Sequence, residues 1–256
     1  MKNKSFITLL SVSLLAFSSC SDFLDTLPDS RTEINSTDKI SPLLVSAYPT
    51  TLPLLIGELS SDNVMDNGGQ FDTDELIEKL YLWDSPSISS YDSPYALWEG
   101  CYAAIASANM ALEGIENLGS PANPQRGEAL VCRAYSHFLL ANVFCMPYNP
   151  NTAESHLGIP YRTRTGDSVY PENTERGSLK NTYEQIAADL EAGLPLIKDA
   201  AYEVPKYHFN RKAANAFAAR FYLYYQKWDK VIECANIAIG SNPVTALRNW
   251  EADFGG

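Results

Sequence analysis

The sequence predicts an all-α protein: helical hairpins that stack into an α-α superhelix, with long irregular loops between them. Three observations carry that expectation. Apolar and small residues recur at three- and four-residue spacing over 94–118, 127–146, 179–194, 211–226 and 229–240, as a helix with one buried face requires. No stretch of convincing length alternates apolar and polar residues as a half-buried strand must. Pro, Gly and Asn collect between the periodic stretches, where they end helices instead of weakening them.

The chain opens with Lys2 and Lys4, then the mostly apolar run Phe6 to Phe17. Twelve residues are too few to cross a bilayer core of about 30 Å. Small Ser18 and Ser19 follow, then Cys20. This is the layout of a secretory signal peptide, residues 1–19, which takes no part in the fold. A Cys directly after small residues resembles a bacterial lipobox, although Phe17 stands where Leu is usual. That makes Cys20 the expected lipidation site; the other reading is an ordinary signal cleaved elsewhere, with Cys20 incidental. Residues 20–42, polar and holding Pro28 and Pro42, read as a lipidated tether. Loss of Lys2 and Lys4 makes the chain more acidic, so membrane attachment would rest on the lipid chains.

The remainder, 43–256, reads as one helical domain. Leu43 to Leu59 is apolar but interrupted by Pro49 and Pro53, so it is not one straight helix. Residues 60–74 carry loop formers, among them Asn63, Asn67, Gly68 and Gly69. Leu76 to Trp83 suits a short helix or a strand, and 84–94 is a Ser/Pro/Tyr loop. Pro94 opens the first long helix, in which Leu97, Trp98, Tyr102, Ile105, Met110, Leu112 and Ile115 recur at helical spacing with small Ala103, Ala104, Ala106 and Ala108 between them. Leu130, Ala134, Phe138 and Ala141 do so in the second, which Pro147 stops. Residues 148–176 are broken by Pro150, Gly158, Pro160, Gly166 and Pro171, a long excursion. Tyr183, Ile186, Leu190 and Leu194 mark a third helix, ended by Pro195; 211–226 and 229–240 form a closing pair.

Composition removes several classes of function. Lys and Arg total 19 against 31 Asp and Glu, a net charge of −12; with no basic run, phosphate-backbone binding is a poor fit. Five Cys without a CxxC argue against a zinc ribbon, a thioredoxin-type site or a disulfide scaffold. Asp62, Asp66, Asp72, Asp74, Glu75 and Glu78 crowd one stretch, but Val64 and Thr73 occupy positions that a calcium loop starting at Asp62 needs for oxygen ligands. His137, His156 and His208 are too scattered for HExxH, and GxSxG, Walker and GxGxxG motifs are absent. Carboxylates are plentiful, yet nothing singles out a glycosidase pair. No catalytic residue, metal or cofactor is expected.

Two resemblances organise the rest. Ala218, Ala219, Tyr222, Val231, Ala235, Ala238 and Pro243 follow the tetratricopeptide spacing of small and large residues, with Asn215 in place of the opening Trp; a generic helical hairpin is the other reading. Six segments in order resemble the SusD-like (RagB/SusD) family of outer-membrane nutrient-binding lipoproteins. They are Cys20 to Asp25; Trp98, Tyr102, Ile105 and Asn109; Gly127, Glu128, Ala129, Arg133, Ala134, Tyr135 and Phe138 with Pro147-Tyr148; Gly158 to Arg162; Tyr183, Ile186, Asp189 and Leu190; and Ala213, Ala214, Ala219, Arg220 and Leu223 with Trp228, Val231 and Ile232. Family members are typically about twice as long, so the helical domain is expected to be truncated at its C-terminal end.

The resemblance implies a cell-surface glycan-binding lipoprotein of the outer membrane, not an enzyme, that delivers ligand to a SusC-like TonB-dependent transporter. The alternative is a tetratricopeptide-like scaffold binding proteins or peptides. Loops before the first long helix contribute to the family's ligand face, which draws attention to Tyr81, Trp83, Tyr91, Tyr95 and Trp98. Flat aromatic faces hold the C–H faces of sugar rings. Trp83, Tyr91 and Tyr95 are the candidate ligand-binding residues; core packing is the competing role, and the stronger one for Trp98. Glu128, Arg133, Asp189 and Arg220 are read as ion pairs bracing helices, and Asn109 as a hydrogen-bond partner of a loop backbone.

Overall fold

Ser93 and Pro94 begin the first long helix. The Ser93 hydroxyl accepts the Ala96 N–H at 3.1 Å, and Pro94 occupies the first helical position, where its missing N–H costs nothing. A computed structural model describes residues 34–66, 68–69, 75–119, 121–165, 175–240 and 242–255. Among them the helices are α1 (Ile40–Leu44), α2 (Leu54–Leu59), α3 (Glu75–Tyr81), α4 (Pro94–Asn117), α5 (Asn123–Phe144), α6 (Leu179–Gly193), α7 (Arg211–Tyr224), α8 (Trp228–Ile239) and α9 (Trp250–Phe254). The described residues contain no strand, only an isolated bridge between Leu157 and Ser178. The all-α expectation holds.

Helix α5 is the centre of the body. It packs against α4 on one side and α6 on another, and also touches α7. Its buried residues include Ala129, Cys132, Ala134, Phe138 and Leu140 but also Glu128, Arg133 and His137, so it is enclosed all round. It starts at Asn123, earlier than the expected Gly127, because Pro124 serves as an N-terminal residue of the helix and not as a break. Ser178 caps α6 through the Asn181 N–H, and Asn210 caps α7 through the Ala213 N–H. Leu80, Leu97, Cys101, Ile105, Leu140 and Ile159 form a shared core; each large apolar side chain fully buried there contributes about 1.5–3 kcal/mol. Cys101 behaves as a small hydrophobe, its thiol pushed up to about 12 by burial.

Two boundaries move. The compact unit that holds the helices starts at Ser36, and Ile40 and Leu44 are fully buried in it, so apolar side chains at the end of the expected tether belong to the helical domain. Residues 1–19 and Cys20 lie outside the described residues. Leu76 to Trp83 resolves into helix α3 followed by a turn.

Helices α7 and α8 form the expected hairpin. Ala218 and Tyr222 are buried, and Asn215, in the place of the repeat's Trp, is buried with its amide donating to the Arg211 carbonyl at 2.8 Å. Helix α8 buries Cys234 but leaves Trp228 58% and Ile232 61% exposed. The backbone closes the turn between the two helices: Gln226 and Lys227 donate to the Leu223 and Tyr222 carbonyls.

Candidate functional site

A buried polar network ties the 157–165 loop to the helices. Arg133 on α5 grips Asp189 on α6 with both arms, Nε to Oδ2 at 2.7 Å and Nη2 to Oδ1 at 2.6 Å. Its remaining nitrogen reaches Asn109 Oδ1 at 2.9 Å and the Thr163 carbonyl at 3.1 Å. Burial works against the guanidinium charge, but the bonds and field of Asp189 raise its pKa. The Tyr161 hydroxyl donates to Asp189 Oδ2 at 2.7 Å, and its ring stacks on His137 at 3.8 Å. His137 Nδ1 meets the Arg133 carbonyl at 2.8 Å and Nε2 accepts the Arg162 N–H at 3.1 Å. An acceptor on one side and a donor on the other fix the neutral Nδ1–H tautomer. Burial drives the pKa of His137 down to about 3. Asn109 donates to the Arg162 carbonyl at 3.2 Å, the loop contact expected of it.

Glu128 forms a second anchor. It is fully buried, and its Oε1 meets the Tyr48 hydroxyl at 2.6 Å and His208 Nδ1 at 2.8 Å. This carboxylate braces the segment leading into α7, not a neighbouring helix. Arg220 makes no ion pair among the described residues; it is exposed, near Tyr135. Both clusters are enclosed and face inward, which suits bracing. The described residues hold no group of three His, Cys, Asp or Glu placed to bind a metal; Asp72 and Asp74 lie outside them.

The exposed aromatics are a different matter. Trp98 packs on Tyr102 at 4.9 Å and edge-on to Phe144 at 5.0 Å, so it serves the core. Trp83 is 79% exposed and stands at φ 58°, a left-handed conformation that bulky residues rarely adopt. Backbone bonds from Trp83 to Leu80 and from Asp84 to Lys79 hold that turn. Tyr91 is 65% exposed, yet its hydroxyl donates to the Thr50 carbonyl and its own carbonyl accepts from Thr51 Oγ1 at 3.3 Å. Tyr95, 56% exposed on the first turn of α4, donates to Glu99 at 3.1 Å. Among the described residues none of these three rings packs on another.

Trp83 borders a cleft of about 620 Å³. Ile56, Leu80, Leu139 and Val143 give it apolar lining, and α7 supplies Arg220 and Tyr224. The sequence reading assigned Arg220 to an ion pair and gave Tyr224 no role. Their common side of the helix could have been read from the four-residue spacing.

The packed helices α4 to α8 and the strand-free described residues define a protein built on helical hairpins. The chain belongs to the SusD-like family described as starch-binding and associating with the outer membrane, whose sequence profile matches residues 22–223. It is 24% identical to a SusD-like protein of Formosa agariphila over 97% of this chain and 48% of that one. It shares its fold with a SusD-like carbohydrate-binding protein of Bacteroides vulgatus (18% identity, TM-score 0.64, 81% of this chain and 45% of the other). The fold is also that of surface glycan-binding protein A of Bacteroides fluxus (24% identity, TM-score 0.57, 78% and 43%). The chain thus spans about half the length of the relatives it matches.

Proposed function

We propose that this protein is a lipid-anchored, surface-exposed glycan receptor of the outer membrane. It captures oligosaccharide and passes it to a SusC-like TonB-dependent transporter, with Trp83, Tyr91 and Tyr95 on its ligand face and Cys20 carrying the lipid. One observation carries the reading: three aromatic side chains between α3 and the start of α4 remain exposed although their backbone or hydroxyl groups are fixed by hydrogen bonds. A pre-positioned ring loses little conformational freedom on binding. The family description and the glycan-binding relatives support the ligand class. Capture and release need no bond to be broken, so the proposal assigns no catalytic residue.

The test is affinity electrophoresis of the protein through gels containing starch, laminarin or other polysaccharides. Retardation by at least one, lost when Trp83, Tyr91 and Tyr95 are all changed to Ala, is the expected result. Unretarded migration in every gel contradicts the reading. The peptide-scaffold alternative draws on one specific feature, the exposed Trp228, Ile232 and Ile239 of α8.

A further inference from the structure

The cleft beside Trp83 has the build of a sugar subsite, and most of its parts come from elements that the aromatic stretch before α4 does not include. Trp83 lies at one part of its wall and Tyr224 of α7 at another. Both rings are exposed, 79% and 51%. The backbone bonds from Trp83 to Leu80 and from Asp84 to Lys79 fix the turn that carries Trp83, and Tyr224 packs perpendicular to the buried ring of Phe138 at 5.3 Å. Polar residues share the lining, namely Arg220, Asn142 and Asp84, the last already accepting the Ser85 N–H through Oδ1 at 2.8 Å and keeping Oδ2 as a further acceptor. Arg220 has no ion-pair partner among the described residues.

We infer that this cleft binds one ring of a neutral oligosaccharide, with Trp83 and Tyr224 on its apolar C–H faces and Arg220, Asn142 and Asp84 on its hydroxyls. The inference rests on the glycan-receptor reading and adds residues to it. A volume of about 620 Å³ is in the range of small-molecule sites, which combine apolar walls with a few placed polar groups. The polar set decides between ligand types. One carboxylate and one guanidinium in the lining balance in charge, a set suited to hydroxyls, which both donate and accept. An anionic sugar would gain Arg220 but face Asp84 and the field of a chain whose net charge is −12.

The experiment is titration calorimetry of the full chain with maltohexaose, laminarihexaose, cellohexaose and a galacturonic acid hexamer. It is run on wild type, Trp83→Ala, Tyr224→Ala and Arg220→Met, with circular dichroism as a folding control. At least one neutral hexasaccharide should bind, and Trp83→Ala and Tyr224→Ala should each weaken it about tenfold or more. Arg220→Met keeps the aliphatic bulk and should weaken it severalfold. Binding by wild type that both ring variants retain unchanged overturns the subsite and leaves the receptor reading standing. Binding of the galacturonate hexamer alone overturns the choice of a neutral sugar. No binding by wild type overturns subsite and receptor together. Since Trp83 is exposed, its variant will fold even if loss of the Tyr224–Phe138 contact unsettles the other.

Discussion

Gly127 on α5 and Gly193 at the end of α6 meet so closely that a methyl group on either would lie 2.8 Å from the other's carbonyl oxygen. Absence of a side chain on both lets the helices approach backbone to backbone at this crossing. Further along the same pair of helices, the approach brings Arg133 and Asp189 within 2.6–2.7 Å.

Gly127→Ala should therefore destabilise the protein by about 1–3 kcal/mol, the usual cost of overpacking a close contact. Gly57→Ala is the control. A methyl group there meets nothing within 4 Å, and the residue lies inside α2, so Ala should raise stability by about 0.5–1 kcal/mol. Urea unfolding midpoints check both.

Asp189→Asn removes the charge that faces Arg133 and weakens the acceptor of the Tyr161 hydroxyl. A buried ion left without its partner costs about 3–5 kcal/mol. The double change Arg133→Met with Asp189→Leu removes both charges and should cost clearly less than the two single changes added together. Additive losses would show that the pair is not coupled.

His137 gives a pH dependence of known sign. Burial lowers its pKa to about 3 in the folded protein, below the unfolded value of about 6.5. As pH falls through 6.5 the unfolded chain takes up a proton that the folded one refuses, so stability falls with falling pH, down to about pH 3. Between pH 7.5 and 5 this group should cost about 2 kcal/mol. Denaturation of wild type and His137→Gln at the two pH values should show that extra loss in wild type only.

The five long helices, α4 to α8, were legible in the sequence because each shows an apolar periodicity between breakers, as α6 does with Pro195 after it; the short α1, α2 and α9 hold too few turns to show one. Asn109's loop contact was legible too. The start of α5 was misread because Pro124 can either break a helix or open one, and only its place in the fold decides. Arg133 and Asp189 were both expected to pair, but which partner each takes depends on how α5 crosses α6, and no local spacing encodes that. The cleft escaped for the same reason. Trp83 and Tyr224 are far apart in sequence, and helical periodicity assigns a residue to a face without saying which distant loop that face meets.

Cys20→Ala tests the anchor. Cells expressing the wild-type chain should incorporate labelled palmitate into it and retain it in the membrane fraction; the variant should do neither. Persistent labelling of the variant would place the lipid elsewhere.

Recognition of glycan through exposed, fixed aromatic rings is tested most directly by calorimetry of the protein with its best-binding oligosaccharide, comparing wild type with the Trp83, Tyr91 and Tyr95 triple Ala variant. The account predicts saturable binding by wild type and an affinity at least tenfold lower in the triple variant, with the helical signal unchanged. Equal affinities in the two proteins, or no binding of any oligosaccharide by wild type, would contradict it.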